Sequence, residues 1–204
     1  DVVMAREMSE KLGLPWLHIP LNEENIEPRL REMISITGTS SPLTLSFELP
    51  LFFVCRTVRE KLVLSGQGSD ELFAGYSKYI GLPVEELDRM RKADLGKLIT
   101  STIPHETKVA DHFGKKIIYP YLDPIVTMQV AAMDLKDLKP IDQDNRKVIL
   151  KQIARNLGYP FIADKKKKAA QYGSGTMDLV RKVASDQGLT YSQLVDKIYR
   201  DIFE

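Results

Sequence analysis

Lys61-Leu-Val-Leu64, followed by Ser65-Gly-Gln-Gly68 and then Ser69-Asp-Glu-Leu72, constrains the fold of this chain more than any other stretch. A short unbroken apolar run is typical of strands buried on both faces of a parallel sheet. Two glycines within four residues then let the backbone turn sharply and come close to whatever lies beyond the strand tip. Ser69 is a good N-cap, and Asp70 and Glu71 are favoured in a first helical turn by the helix dipole. A strand, a glycine turn and a helix in that order belong to a parallel α/β arrangement with crossover helices.

The flanking sequence extends this expectation. Val2, Val3, Met4, Met8 and Leu12 recur at helical spacing, with Gly13 as a stop. Residues 16–21 read as a short strand with Trp16 in the core, 23–36 as an amphipathic helix, and 37–42 as a loop. Residues 43–58 are strongly apolar and read as a buried helix broken near Pro50. Beyond residue 80 the character changes. Stretches 84–99, 126–133, 145–157 and 176–186 read as helices, and 116–119 is the one strand candidate. The expected division is a partial α/β nucleotide-binding lobe at 1–81 and a mainly helical part of the same domain at 82–204, with a soft boundary near 80–82. Residues 189–203 form an amphipathic helix, with Leu194, Val195, Ile198 and Ile202 on one face. Packing within the chain is the default for that face, and a homodimer contact is the alternative.

Composition narrows the function classes. Hydrophobic residues make up 43% of the 204 and charged residues 28%, so a real core can form. The net charge of +1 provides no global field to recruit nucleic acid or an anionic membrane. No apolar run reaches the roughly 20 residues that span a bilayer, and no signal peptide is visible, so a cytoplasmic location is expected. Cys55 is the one cysteine, which excludes an internal disulfide or a multi-cysteine zinc site. Its apolar surroundings mark it as packing. His105 and His112 fall about two turns apart on a helix, with Asp111 pointing elsewhere, which suits surface or packing histidines better than a metal site.

Chemistry concentrates at the glycine turn. Ligands of open α/β sheets bind at the carboxyl edge of the strands, where Ser65, Gly66 and Gly68 stand. Asp70 and Glu71 would repel a bare phosphate, so a bridging Mg²⁺ is the simplest way to place an anion there. The same residues equally suit a plain helix start.

Leu64-Ser-Gly-Gln-Gly-Ser-Asp-Glu-Leu-Phe-Ala-Gly-Tyr76 resembles the Ser-Gly-Glu-Gly-(Ala/Ser)-Asp-Glu-(Leu/Val)-Phe-Gly-Gly-Tyr signature of asparagine synthetases and the related beta-lactam synthetases. Gly114-Lys-Lys-Ile-Ile-Tyr-Pro-Tyr-Leu-Asp123 and Arg146-Lys-Val-Ile-Leu-Lys-Gln-Ile-Ala154 resemble further stretches of that family, in the same order. So does the lysine run ahead of Gln171, Tyr172 and Gly173. The Lys-rich Gln-Tyr-Gly-Ser-Gly version, with Phe-Ala-Gly-Tyr, is similar to the divergent asparagine-synthetase-domain proteins.

The resemblance implies a truncated parallel sheet of the adenine nucleotide alpha hydrolase-like, ATP pyrophosphatase, type. It implies that ATP adenylates the side-chain carboxylate of aspartate, and that ammonia from a glutaminase domain or subunit, using glutamine, displaces AMP to give the amide. On that pattern Ser65, Gly66 and Gly68 bind the nucleotide. Asp70, with Glu71 nearby, holds Mg²⁺-pyrophosphate, and Lys167 or Lys168 stabilises the phosphate charge.

The chain departs from the family in four ways. No Ser-Gly-Gly-x-Asp-Ser loop occurs, so the first ATP-binding segment is expected to lie upstream of Asp1. No N-terminal cysteine glutaminase is present. Gln67 replaces the motif's glutamate, and an amide cannot act as a base. Lys116 and Ile118 replace Glu and Arg. Two alternatives therefore stay open: a nucleotide-binding relative with impaired catalysis, and an ATP pyrophosphatase acting on another carboxylate or substrate.

Overall fold

The computed structural model describes residues 2–164 and 173–204, which divide into two compact units. The first comprises residues 2–61, 105–116 and 173–204, and the second residues 62–104 and 117–164. Among the described residues helix dominates, with one small parallel sheet of two strands. Among the described residues no helix is long and apolar enough to cross a membrane.

In the first unit, α1 (Val2–Leu12) precedes α2 (Glu23–Thr37) and α3 (Pro42–Thr57). Asn22 caps α2 by accepting from the Asn25 N–H, and Gly38 closes it in the left-handed conformation that a C-terminal glycine serves. Ser41 caps α3, with Pro42 in the first turn where its missing N–H costs nothing. The helix runs unbroken through Pro50, so the break expected there does not occur. Burial explains this: Leu45, Leu49, Phe52 and Cys55 are each at most 1% exposed, and their packing outweighs one lost backbone bond.

In this unit's C-terminal part, two helices, Thr176–Asp186 and Tyr191–Phe203, pack on α2 and α3. Numbered in chain order with the helices given below, they are α11 and α12. Thr190 and Gln193 form a reciprocal capping box at the start of α12. Leu194, Val195 and Ile198 are fully buried, so the amphipathic face is satisfied within the chain.

Residues 16–21 take no regular secondary structure and join no strand among the described residues. A strand exists only where its N–H and C=O groups meet a neighbour. Trp16 is 39% exposed and stacks on His18 at 5.8 Å, so it is not core.

In the second unit, β1 (Leu62–Leu64) pairs with β2 (Lys116–Ile118, whose first residue belongs to the first unit), and the Ser65 N–H donates to the Ile118 carbonyl at 2.9 Å. A one-turn helix, α4 (Ser69–Leu72), follows β1. Then come α5 (Val84–Lys97), a π-turn at Leu98–Thr102, α6 (Ile103–His112), α7 (Pro124–Ala131), α8 (Leu135–Leu138), α9 (Val148–Asn156) and α10 (Pro160–Ala163). Residues from His105 onward in α6 belong to the first unit. Leu72, Phe73, Val130 and Leu138 form one core cluster, flanked by Tyr121, Leu122 and Leu150. Ala74, Tyr79 and Leu87 form another.

Candidate active site

The turn after β1 is built around Gly68, whose φ of +88° is left-handed. A Cβ there would come within 2.5 Å of Leu122 Cδ2, so both conformation and space demand glycine. Gly66 is exposed, and a Cβ on it would meet nothing within 4 Å, which leaves its backbone open to a ligand. Ser65 Oγ accepts from the Gln67 N–H at 3.4 Å. Ser65, Gly66, Gln67 and Gly68 thus form one continuous turn at the strand tip.

The helix that follows differs from the sequence expectation. Gly68 occupies the cap position, with no side-chain cap bond, and Ser69 is the first helical residue. The Ser69 hydroxyl instead accepts from Lys147 Nζ at 2.7 Å. Because α4 is a single turn, little dipole accumulates to hold an anion. Electrostatics at this tip therefore rest on side chains.

Asp70 and Glu71 face different surroundings. The Asp70 side chain is 21% exposed, and its Oδ1 lies 3.1 Å from Lys147 Nζ. Glu71 is buried, and its Oε1 accepts from the Tyr76 hydroxyl at 2.6 Å. Burial first, and then that bond to Glu71, push the Tyr76 phenol above its ordinary range, so it stays a donor. Arg91 clamps the carbonyls of Glu71 and Leu72 at 2.8 and 2.6 Å. Burial lowers its pKa, with Asp88 and Tyr79 partly countering. A second set of bonds holds the loop beyond: Tyr79 donates to Asp94 at 2.5 Å, and Lys78 pairs with Asp94 at 2.6 Å. Burial alone would raise the Asp94 carboxyl, but bonds from Lys78 and Tyr79 outweigh it and hold it low.

Lys147 is the site residue that the sequence did not single out. It lies 78 positions from Ser69, at the N-cap of α9, with φ 52° and ψ 43°. A non-glycine residue in that region costs roughly 1 kcal/mol or more. The Asp142 side chain sets up the approach by accepting from the N–H groups of Asp144 and Asn145, each at 2.8 Å. Arg146 then donates to the Gly75 carbonyl at 3.1 Å. Gly75 is required by the same convergence, since a Cβ there would strike the Asp70 carboxylate and Lys147 Cε. The clue in the sequence was the stretch 146–154, which resembles the family but was not given a role at the site.

Lys167 and Lys168 lie outside the described residues. Among the described residues no three His, Cys, Asp or Glu side chains come together as a ready-made metal site. His105 Nδ1 lies 3.7 Å from Glu48, and His112 packs edge-on against Phe113. Beside Lys147 opens a cavity of about 650 Å³, lined by α9, α10 and the loop before α9.

A parallel strand tip, a glycine turn and an acid–lysine pair thus stand beside a cavity on a mostly helical scaffold. Comparison with known proteins gives the family likeness: residues 1–84 match the family described as Asparagine synthase. The chain is 24% identical to a provisionally named glutamine-hydrolysing asparagine synthetase 1 of Methanocaldococcus jannaschii, across 99% of this chain and 45% of that protein. It is 25% identical to asparagine synthetase B (glutamine-hydrolysing) of Escherichia coli, across 100% of this chain and 40% of that protein. Mouse asparagine synthetase domain-containing protein 1 is 31% identical over 56% of this chain and 19% of that protein. The chain thus spans less than half the length of these relatives. The family match includes Ser65 to Asp70 and stops before Lys147.

Proposed function

We propose that this chain supplies the adenylating site of an ATP-dependent amide ligase of the asparagine synthase type. One observation favours it most: Asp70 and Lys147 converge at an exposed glycine tip, beside a cavity. The scaffold is then the nucleotide-binding part of an ATP pyrophosphatase-type domain, with 1–81 and 82–204 as portions of it.

The donor set suits Mg²⁺ held by a single protein carboxylate. Mg²⁺ usually keeps several waters and takes one or two carboxylates plus substrate phosphates. Asp70 is the accessible acid, whereas Glu71 is buried and bonded to Tyr76. When bound, the ion would offset negative charge on pyrophosphate. Ser65 and the Gly66 and Gly68 backbone would cradle the nucleotide. Lys147, with Lys167 or Lys168, would stabilise the leaving charge electrostatically. A substrate carboxylate oxygen attacks the α-phosphorus, and the bond to the β-phosphate oxygen breaks, releasing pyrophosphate. Ammonia then attacks the acyl carbon, loses a proton, and AMP leaves with the original carboxylate oxygen. Gln67 can orient ammonia or the nucleotide by hydrogen bonding, but it cannot take that proton.

ATP–pyrophosphate exchange by the full-length protein, with aspartate and other acids, tests this. Exchange that falls at least 100-fold in Asp70→Asn supports it, and no exchange with any acid refutes it. The Asp70–Lys147 pair and Gln67 also favour a second reading, a nucleotide-binding relative without turnover. Calorimetric binding of Mg-ATP with no exchange would select that one.

A further inference from the structure

The cavity beside Lys147 has a chemistry of its own. Its volume of about 650 Å³ lies within the range of sites for drug-sized ligands. The floor is apolar: Leu150 and Ile153 of α9 and its C-cap residue Leu157 line it together with Tyr159 and with Ile162 and Ala163 of α10. Helix α9 has no buried residue, and Ile153 and Leu157 remain 44% and 66% exposed. That surface is left for an apolar occupant to cover.

The rim is cationic. Arg146 donates to the carbonyls of Gln143 at 2.8 Å and Gly75 at 3.1 Å, and Lys151 donates to the Asp144 carbonyl. Among the described residues neither cation forms an ion pair with a carboxylate, and the one acid that feels Lys151 at longer range, Asp142, is fully exposed and already bonded to Asn145 and the Asp144 N–H. Of the acids at the rim, Asp164 pairs with Arg155 at 2.8 Å, and Asp144 lines the cavity together with Arg146, Lys147 and Lys151. Lys147, the third, lies 3.1 Å from Asp70. An acid whose body lies on α9 and α10 would therefore present its carboxylate toward the proposed adenylation site. Aspartate fits poorly, since its second charge and its ammonium group would gain nothing from an apolar floor.

We infer that this cavity binds an amphiphilic monocarboxylate, an acid group on an alkyl or aryl body, as the acid activated by the ligase; the inference rests on the function proposed above. Its carboxylate oxygen is then the one that attacks the α-phosphorus, with pyrophosphate as the leaving group.

The test is calorimetric titration of the full-length protein with butyrate, hexanoate, octanoate, octylamine and aspartate, beside pyrophosphate exchange with the same acids. Affinity for the acids rises by roughly fourfold per methylene if the chain is buried. Octylamine fails to bind, and Lys151→Gln weakens octanoate about tenfold without changing the thermal midpoint. Ile153→Asp removes the chain-length dependence. Affinity independent of chain length, or octylamine binding as well as octanoate, overturns the pocket. Exchange with aspartate alone overturns the substrate class and leaves the ligase standing. Chain-length-dependent binding with no exchange by any acid supports the pocket and removes the ligase.

Discussion

Replacing Glu48 with glutamine perturbs an unusual group in the first unit. Glu48 sits on α3 at 1% exposure, and among the described residues neither of its carboxylate oxygens has a hydrogen-bond partner. His105 Nδ1 stands 3.7 Å away, too far for a hydrogen bond. Burial, and then repulsion by Glu106, push the Glu48 carboxyl up from 4.5 to about 8. A raised acid has a definite sign. The folded state holds a proton that the unfolded chain releases near its ordinary value. The stability this proton supplies is thus complete below about pH 4.5 and is lost as pH rises to about 8. Within that window the slope approaches one proton, about 1.4 kcal/mol per pH unit, and the whole span is worth on the order of 5 kcal/mol. Glu48→Gln keeps the shape and removes the titration. Urea unfolding followed by far-UV circular dichroism at pH 5, 6, 7, 8 and 9 gives the difference curve, in which all other titrating groups largely cancel. The variant is expected to lie within about 1 kcal/mol of the parent at pH 5 and to be several kcal/mol more stable at pH 8 to 9. Parallel pH profiles for the two proteins would refute the account of Glu48 as a buried, proton-holding acid.

Three further outcomes follow from the packing. Gly68→Ala forces a Cβ against Leu122 at a φ of +88°, so it lowers stability by about 1–3 kcal/mol in the same urea assay. The atoms nearest a Cβ at Gly75 are the side-chain ends of Asp70 and Lys147, so Gly75→Ala should part that pair and cut pyrophosphate exchange at least tenfold, with a smaller effect on the urea midpoint than Gly68→Ala. Cys55 is buried, and burial raises its thiol pKa, with Lys115 partly countering and Glu106 adding to the rise. A disulfide reagent such as Ellman's should modify it slowly in the native protein and rapidly in urea; fast native labelling would contradict its burial.

Local sequence determined much of this protein. Thr190 and Gln193 wrote the start of α12 in a capping box, and the apolar stripe of Leu194, Val195 and Ile198 fixed the face it buries. The glycine turn at residues 65–68 was legible because two glycines so close together mark a sharp turn, and at Gly68 the positive φ and the nearby Leu122 favour glycine. Interactions set by distance along the chain were not legible. Trp16 is more exposed than its type suggests because residues 16–21 meet no strand partner among those described, and Pro50 is tolerated because α3 is held by burial. Ser69 looked like a cap, yet it serves Lys147, 78 positions away. A cap or a periodic stripe is settled within a few residues by backbone geometry. The pairing of Asp70 with Lys147 exists only after two distant segments pack together, and packing is a property of the whole chain.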